Sequence, residues 1–175
     1  HDLLREADLT AVIICLPNHI HSEAAIASFE NGKHVYLEKP IAINLTQSGE
    51  VIRAWKESDL AGMMRFNLRF NPLYTSLKGH IEAGAVGDVV CVRTVFTSSG
   101  RSLPEWKKSR STGGGALLDL ASHHVDLVRY LLGNEVTQIS ARIRSHTTED
   151  DIAILEYKTS DDIAVESYFS ISSAD

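Results

Sequence analysis

Asp119, His123, Asp126 and Tyr130 recur at steps of four, three and four residues. They lie in a run from Ala116 to Leu132, closed by Gly133, that reads as the strongest helix in the chain. Residues at these steps share one helical face. An aspartate one turn before a histidine can orient the imidazole and stabilise its charged form, which is how a general base is built. The same stripe also describes a helix side that faces water rather than a cleft. Leu117, Leu120, His124, Leu127, Val128 and Leu131 fill the broad opposite face, which suits core packing and makes His124 a structural residue.

A second candidate lies at the end of an apolar run, Val35 to Leu37, which stops on Glu38-Lys39-Pro40. A charged strand end can simply be solvated. However, Pro40 steers Lys39 away from helical dihedrals and so fixes where its side chain leaves the strand. Ligands of an open parallel sheet bind beyond the carboxyl ends of its strands. Two loops qualify, Leu16-Pro17-Asn18-His19 and Glu38-Lys39-Pro40. His19 and His21 sit in a turn with no further ligand cluster, so no metal is expected. Gly113 to Gly115 follow a loop rather than a strand and do not fit G-x-G-x-x-G, so close backbone approach at a helix start explains them better than phosphate binding.

The elements that must position these residues follow from periodicity. Thr10 to Leu16 is a continuous β-rich run of the kind covered on both faces of a parallel sheet. His21 to Asn31 reads as a helix closed by Gly32, Lys33 to Glu38 as a strand, and a helix capped by Asn44 or Thr46 runs to about Ser58. Leu60 to Phe70 reads as a third strand, which completes a βαβαβ succession. Beyond it come a helix over Leu73 to Glu82, a strand over Asp88 to Ser98, and a polar loop from Ser99 to Thr112. Lys107, Lys108 and Arg110 form a basic cluster in that loop, read as solvated. After the long helix come Val136 to Arg144 and a hairpin of Ile152 to Lys158 with Ile163 to Ile171. The fold class is α/β, the C-terminal part of a Rossmann parallel sheet followed by an α+β domain with an open, mainly antiparallel sheet. The expected division is residues 1–70 and 71–175.

The 175 residues suffice for one large domain or two small ones, and the net charge of −6 argues against nucleic acid as a partner. No apolar run approaches the roughly 20 residues of a membrane span. Cys15 and Cys91 lie in apolar runs and read as free buried thiols, which suits a reducing cytoplasm.

The stretches "ICLPNHIHSEAAIASFENGKHVYLEKP", "RFNLRFNP" and "GGGALLDLASHHVDL" resemble the Gfo/Idh/MocA family of NAD(P)-dependent oxidoreductases. The resemblance implies a partial Rossmann domain and an α/β substrate domain whose open sheet makes a dimer or tetramer contact. It implies that Lys39 is the active-site lysine and that Asp119 and His123 are the family's D-x-x-x-H pair. Leu16, Pro17, Asn18 and His21, with Glu38, Lys39 and Pro40, would touch the nicotinamide side of NAD or NADP. Arg69, Asn71 and Trp106 would line the substrate cleft. The implied reaction is hydride transfer between the cofactor and a sugar, polyol or related hydroxy compound. The glycine-rich fingerprint and its acidic or basic selector are not in the sequence, so the chain reads as partial and the choice of cofactor is not legible. A non-catalytic binding or assembly module is the alternative reading.

Overall fold

The structure, a computed structural model, describes residues 3–5, 8–99 and 103–173. The chain divides into two compact units. One runs up to Arg65 and includes Ser111–Gly113; the other comprises Phe66–Arg110 and the chain from Gly114 onward.

The first unit is a parallel sheet of β1 (Ala11–Ile14), β2 (His34–Glu38) and β3 (Gly62–Arg65) in the order β1-β2-β3. Helices α1 (His21–Glu30) and α2 (Leu45–Ser58) make the connections. The strands are in register, Ile14 opposite Leu37 and Glu38 opposite Arg65, so the loops that follow β1 and β2 leave the same edge. Ile14, Val35 and Leu37 pack against Ala25, Phe29 and Val51 to form the core. Asn44, not Thr46, caps α2: its side-chain oxygen accepts from the amide of Gln47 at 2.9 Å.

The third strand is shorter than expected. It stops at Arg65, and Asn67–Phe70 form a 3₁₀ turn. Phe66, Leu68 and Phe70 alternate like strand residues, but the chain here turns into α3 (Pro72–Glu82). Asn71 caps that helix, accepting from the amide of Leu73 at 2.9 Å, and Pro72 takes the first helical position, where no amide is needed.

The second unit holds α3 and a four-stranded sheet of β4 (Cys91–Ser99), β5 (Val136–Arg144), β6 (Ile152–Thr159) and β7 (Ala164–Ser173), ordered β4-β7-β6-β5. The β5–β6 and β6–β7 pairs are antiparallel, as expected, while β4 runs parallel to β7. Ala153, Leu155, Tyr157, Val165 and Phe169 line one face and pack with Ala116, Ala121 and Val128. The anticipated single helix has two parts. Leu117–Ala121 form a wider π-helical turn, and α4 (Ser122–Leu132) continues it as a regular α-helix. Cys15 and Cys91 are free, as expected, but exposed rather than buried. No helix among the described residues is long and apolar enough to cross a membrane.

Candidate active site

In the first unit several of the candidate residues hold the loops after β1 and β2 in place. The His21 ring is fully buried. Its Nδ1 lies 2.7 Å from the carbonyl oxygen of Pro40 and its Nε2 lies 2.8 Å from that of Leu16. The ring therefore bridges the loops after β1 and β2 and braces them. Asn18 is also buried, and its side-chain amide donates to the Gly113 carbonyl at 2.8 Å. Gly113 has φ +84°, and a Cβ there would stand 2.5 Å from Ile43 Cγ2 and 2.6 Å from the Asn18 Cβ, so only glycine fits. The Glu38 carboxylate pairs with the Arg65 guanidinium on the adjacent strand. Pro40 is buried and its peptide bond to Lys39 is cis. Lys39, half-buried, stands where β2 ends, with these contacts fixing the backbone on both sides. Leu16 is exposed and Pro17 half-exposed on the neighbouring loop.

In the second unit Asp119 lies in the π-helical turn and His123 one turn later, both half-buried. The ring of Phe66 meets the His123 imidazole edge-on, with centroids 6.4 Å apart. The expected polar stripe does not continue as a cleft wall. Asp126 is only 4 % exposed and takes two hydrogen bonds from Arg69, at 2.8 and 2.5 Å. The Arg69 guanidinium also stacks over Phe66 and Tyr130, 5.9 and 5.6 Å from their ring centres. This lower part of the stripe is where the Asn67–Phe70 turn docks on α4. Of the two residues read as cleft-lining, Arg69 bonds Asp126 and Asn71 caps α3. His124 packs between Phe96 and Phe169, with ring centroids 6.2 and 4.9 Å away, and burial lowers its pKa.

The basic loop is not simply solvated. The Lys107 ammonium lies 3.1 and 3.0 Å from the two Asp119 carboxylate oxygens and 5.3 Å from the centre of the Trp106 ring. Lys108 pairs with Glu105 at 2.5 Å, and Arg110 makes two bonds to Asp150 at 2.5 and 2.6 Å. Lys107 was not legible as a site residue, since its partner lies twelve positions away across a loop of unreadable path. The one available hint was the glycine run. A Cβ on Gly114 would come within 2.3 Å of the Lys107 carbonyl oxygen, so the glycines report where this loop closes back on the helix. Among the described residues no cluster of three or more His, Cys, Asp or Glu side chains could hold a metal ion.

Residues 74–174 match the family described as GFO/IDH/MocA C-terminal domain, and residues 1–66 match the oxidoreductase family with an NAD-binding Rossmann fold. The chain belongs to the GFO/IDH/MocA family, which bears out the resemblance carried by the three motifs. It is 36% identical to levoglucosan dehydrogenase of Pseudarthrobacter phenanthrenivorans over 75% of this chain and 35% of that one. It is 33% identical to myo-inositol 2-dehydrogenase of Thermotoga maritima over 81% of this chain and 41% of that one. It is 32% identical to the NAD(+)-dependent scyllo-inositol 2-dehydrogenase of Bacillus subtilis over 82% and 41%. The structure of a levoglucosan dehydrogenase in complex with NADH superposes with a TM-score of 0.91 at 28% identity, over 98% of this chain and 50% of that one. The chain thus spans less than half the length of these curated relatives.

Proposed function

We propose that the chain carries the catalytic part of an NAD-dependent dehydrogenase acting on the CH–OH group of a cyclic sugar or polyol. The observation that supports this most directly is the bracing of the E-K-P motif. His21, Pro40 and the Glu38–Arg65 pair fix the strand end from which Lys39 projects. A solvated strand end needs no such support.

Lys39 is the fixed cation in this reading. An ammonium held beside a substrate hydroxyl stabilises the negative charge that develops as the proton leaves. His123 is the base that accepts the hydroxyl proton, and Asp119 orients a neighbouring hydroxyl or the imidazole. Trp106 contributes an apolar wall against which a sugar ring packs. Leu16, Pro17 and Lys39 are the residues that suit the nicotinamide end of NAD, an exposed apolar rim beside a cation at the carboxyl end of parallel strands. NAD bound there supplies the hydride acceptor. A relative that is an NAD(+)-dependent dehydrogenase and another solved with NADH favour NAD over NADP. A pyrophosphate-binding G-x-G-x-x-G does not occur in the 175 residues, so the chain's own grip on the cofactor rests on the nicotinamide side.

Residues 1–70 form the dinucleotide-binding part in this proposal and residues 71–175 the substrate and assembly part. The sheet face opposite α4, which presents Val95 and the Arg93–Glu166 pair, is the surface through which two copies associate. Two free, exposed cysteines favour a reducing cytoplasm.

The test is NADH titration followed by assay of NAD reduction with myo-inositol and levoglucosan. Saturable NADH binding and turnover of either alcohol support the proposal. A folded chain with neither binding nor turnover overturns it in favour of a non-catalytic assembly module.

A further inference from the structure

We infer that Lys107 is a positioning residue that sets the Asp119 carboxylate for catalysis, an inference that rests on the reading of Asp119 given above. Three observations within one unit carry it.

The first is the contact. The ammonium reaches both carboxylate oxygens nearly equally, at 3.0 and 3.1 Å, with side chains 29% and 17% exposed. A carboxylate held half out of water needs a cation or several donors to remain charged. An ammonium shared between both oxygens also fixes the carboxylate plane.

The second is the rigidity of the loop behind the ammonium. The Lys107 amide donates to Pro104 at 2.9 Å, and the Lys108 carbonyl accepts from Glu149 at 3.2 Å. The Ser109 carbonyl accepts from Gly114 at 2.8 Å, and Arg110 is clamped by Asp150. The Lys107 carbonyl lies so close to Gly114 that no side chain fits between them. A lysine that merely soaked in solvent would not need its backbone pinned from the helix, from the Glu149–Asp150 turn and from its own loop.

The third is the local helix geometry. Asp119 sits in the π-helical turn, whose extra width displaces it from the position a regular helix would give. Such turns occur as single, locally specified departures from α-helix and concentrate at functional positions. Lys107 meets the carboxylate in that displaced position.

The inference is tested with Lys107→Met, Lys107→Arg, Asp119→Asn and the Lys107→Met/Asp119→Asn pair, assayed for NAD reduction with myo-inositol. Lys107→Met should lower kcat at least about tenfold with little change in KM, and Lys107→Arg should recover most of that loss. The double variant should be no slower than Asp119→Asn alone, within about twofold, because both changes act through one carboxylate. Independent, multiplying effects, or Lys107→Met at the native rate while Asp119→Asn is crippled, overturn the inference and leave the role of Asp119 standing. Native turnover in Asp119→Asn instead removes Asp119 from the mechanism and the inference with it. A readout free of turnover is the ¹⁵N-edited ammonium resonance of Lys107. It should be protected from solvent exchange in the native chain and lost in Asp119→Asn, and an unprotected resonance in the native chain counts against the inference.

Discussion

His21 and Pro40 are joined by a hydrogen bond of 2.7 Å between ring Nδ1 and carbonyl oxygen, and the other ring nitrogen reaches Leu16 at 2.8 Å. One buried imidazole therefore sets the spacing of the two loops that carry the proposed nicotinamide contacts. His21→Ala removes the ring lying between the Pro40 and Leu16 carbonyls and opens a cavity. It should cost about 2–4 kcal/mol in chemical denaturation. NADH affinity should fall more than that of a surface control variant of equal stability loss. A His21→Ala chain with native stability and NADH affinity would show that the brace does nothing.

The Arg69–Asp126 pair should behave as structure. Asp126 is nearly buried, so Arg69→Ala leaves a carboxylate with its charge uncompensated. Arg69 is 40% exposed, and solvent screens part of the loss, so the expected cost is about 2 kcal/mol rather than the ~3–5 kcal/mol of a fully buried pair. Pairing the change with Asp126→Leu should recover much of it in a double-mutant cycle. Additive losses would contradict the pairing.

Two glycines give opposite expectations. A Cβ on Gly114 meets backbone atoms of Lys107 and Ser109 at 2.3–2.9 Å, and neither can step aside without moving the loop. Gly114→Ala should cost about 3 kcal/mol and reduce turnover through displacement of Lys107. Gly79 lies within α3 with nothing within 4 Å of its would-be Cβ, so Gly79→Ala should stabilise by about 0.5–1 kcal/mol. Thermal unfolding of both variants decides whether the close approach is real.

Much of the fold was legible because its signals are local. The Val/Ile runs of β1 and β2, Gly32 after α1, Asn44 before α2 and the β6–β7 hairpin all announce themselves within a few residues. The overrun of the third strand arose because Phe66, Leu68 and Phe70 alternate as a strand does, while the force that ends it comes from the Asn71 cap. The π-helical turn has no proline or glycine inside it to betray it. Type and spacing made Lys39, Asp119 and His123 candidates, and the resemblance carried by the three motifs gave them their proposed roles. Which neighbours are scaffold could not be picked out, because Asn18 reaches Gly113 and Asp119 reaches Lys107 only through tertiary folding.

His124 should make the second unit sensitive to acid. Burial among Phe96 and Phe169 lowers its pKa, so the folded state resists protonation while the unfolded chain accepts it. Its folded pKa is depressed below the ordinary value of ~6.5, so stability falls as pH drops through that value and levels off below the folded pKa. His124→Phe keeps the ring and removes the proton site. The variant should show a flatter denaturation midpoint from about pH 7 to pH 5. An unchanged slope would assign the acid sensitivity to another group.

The catalytic role of Lys39 is tested most directly by comparing NAD reduction by the native chain and Lys39→Ala, with myo-inositol and levoglucosan as alcohols. The expected result is a fall in kcat of at least about a hundredfold, with unfolding midpoint unchanged and NADH affinity within a few-fold of native. Turnover at the native rate in a folded Lys39→Ala chain would contradict the account.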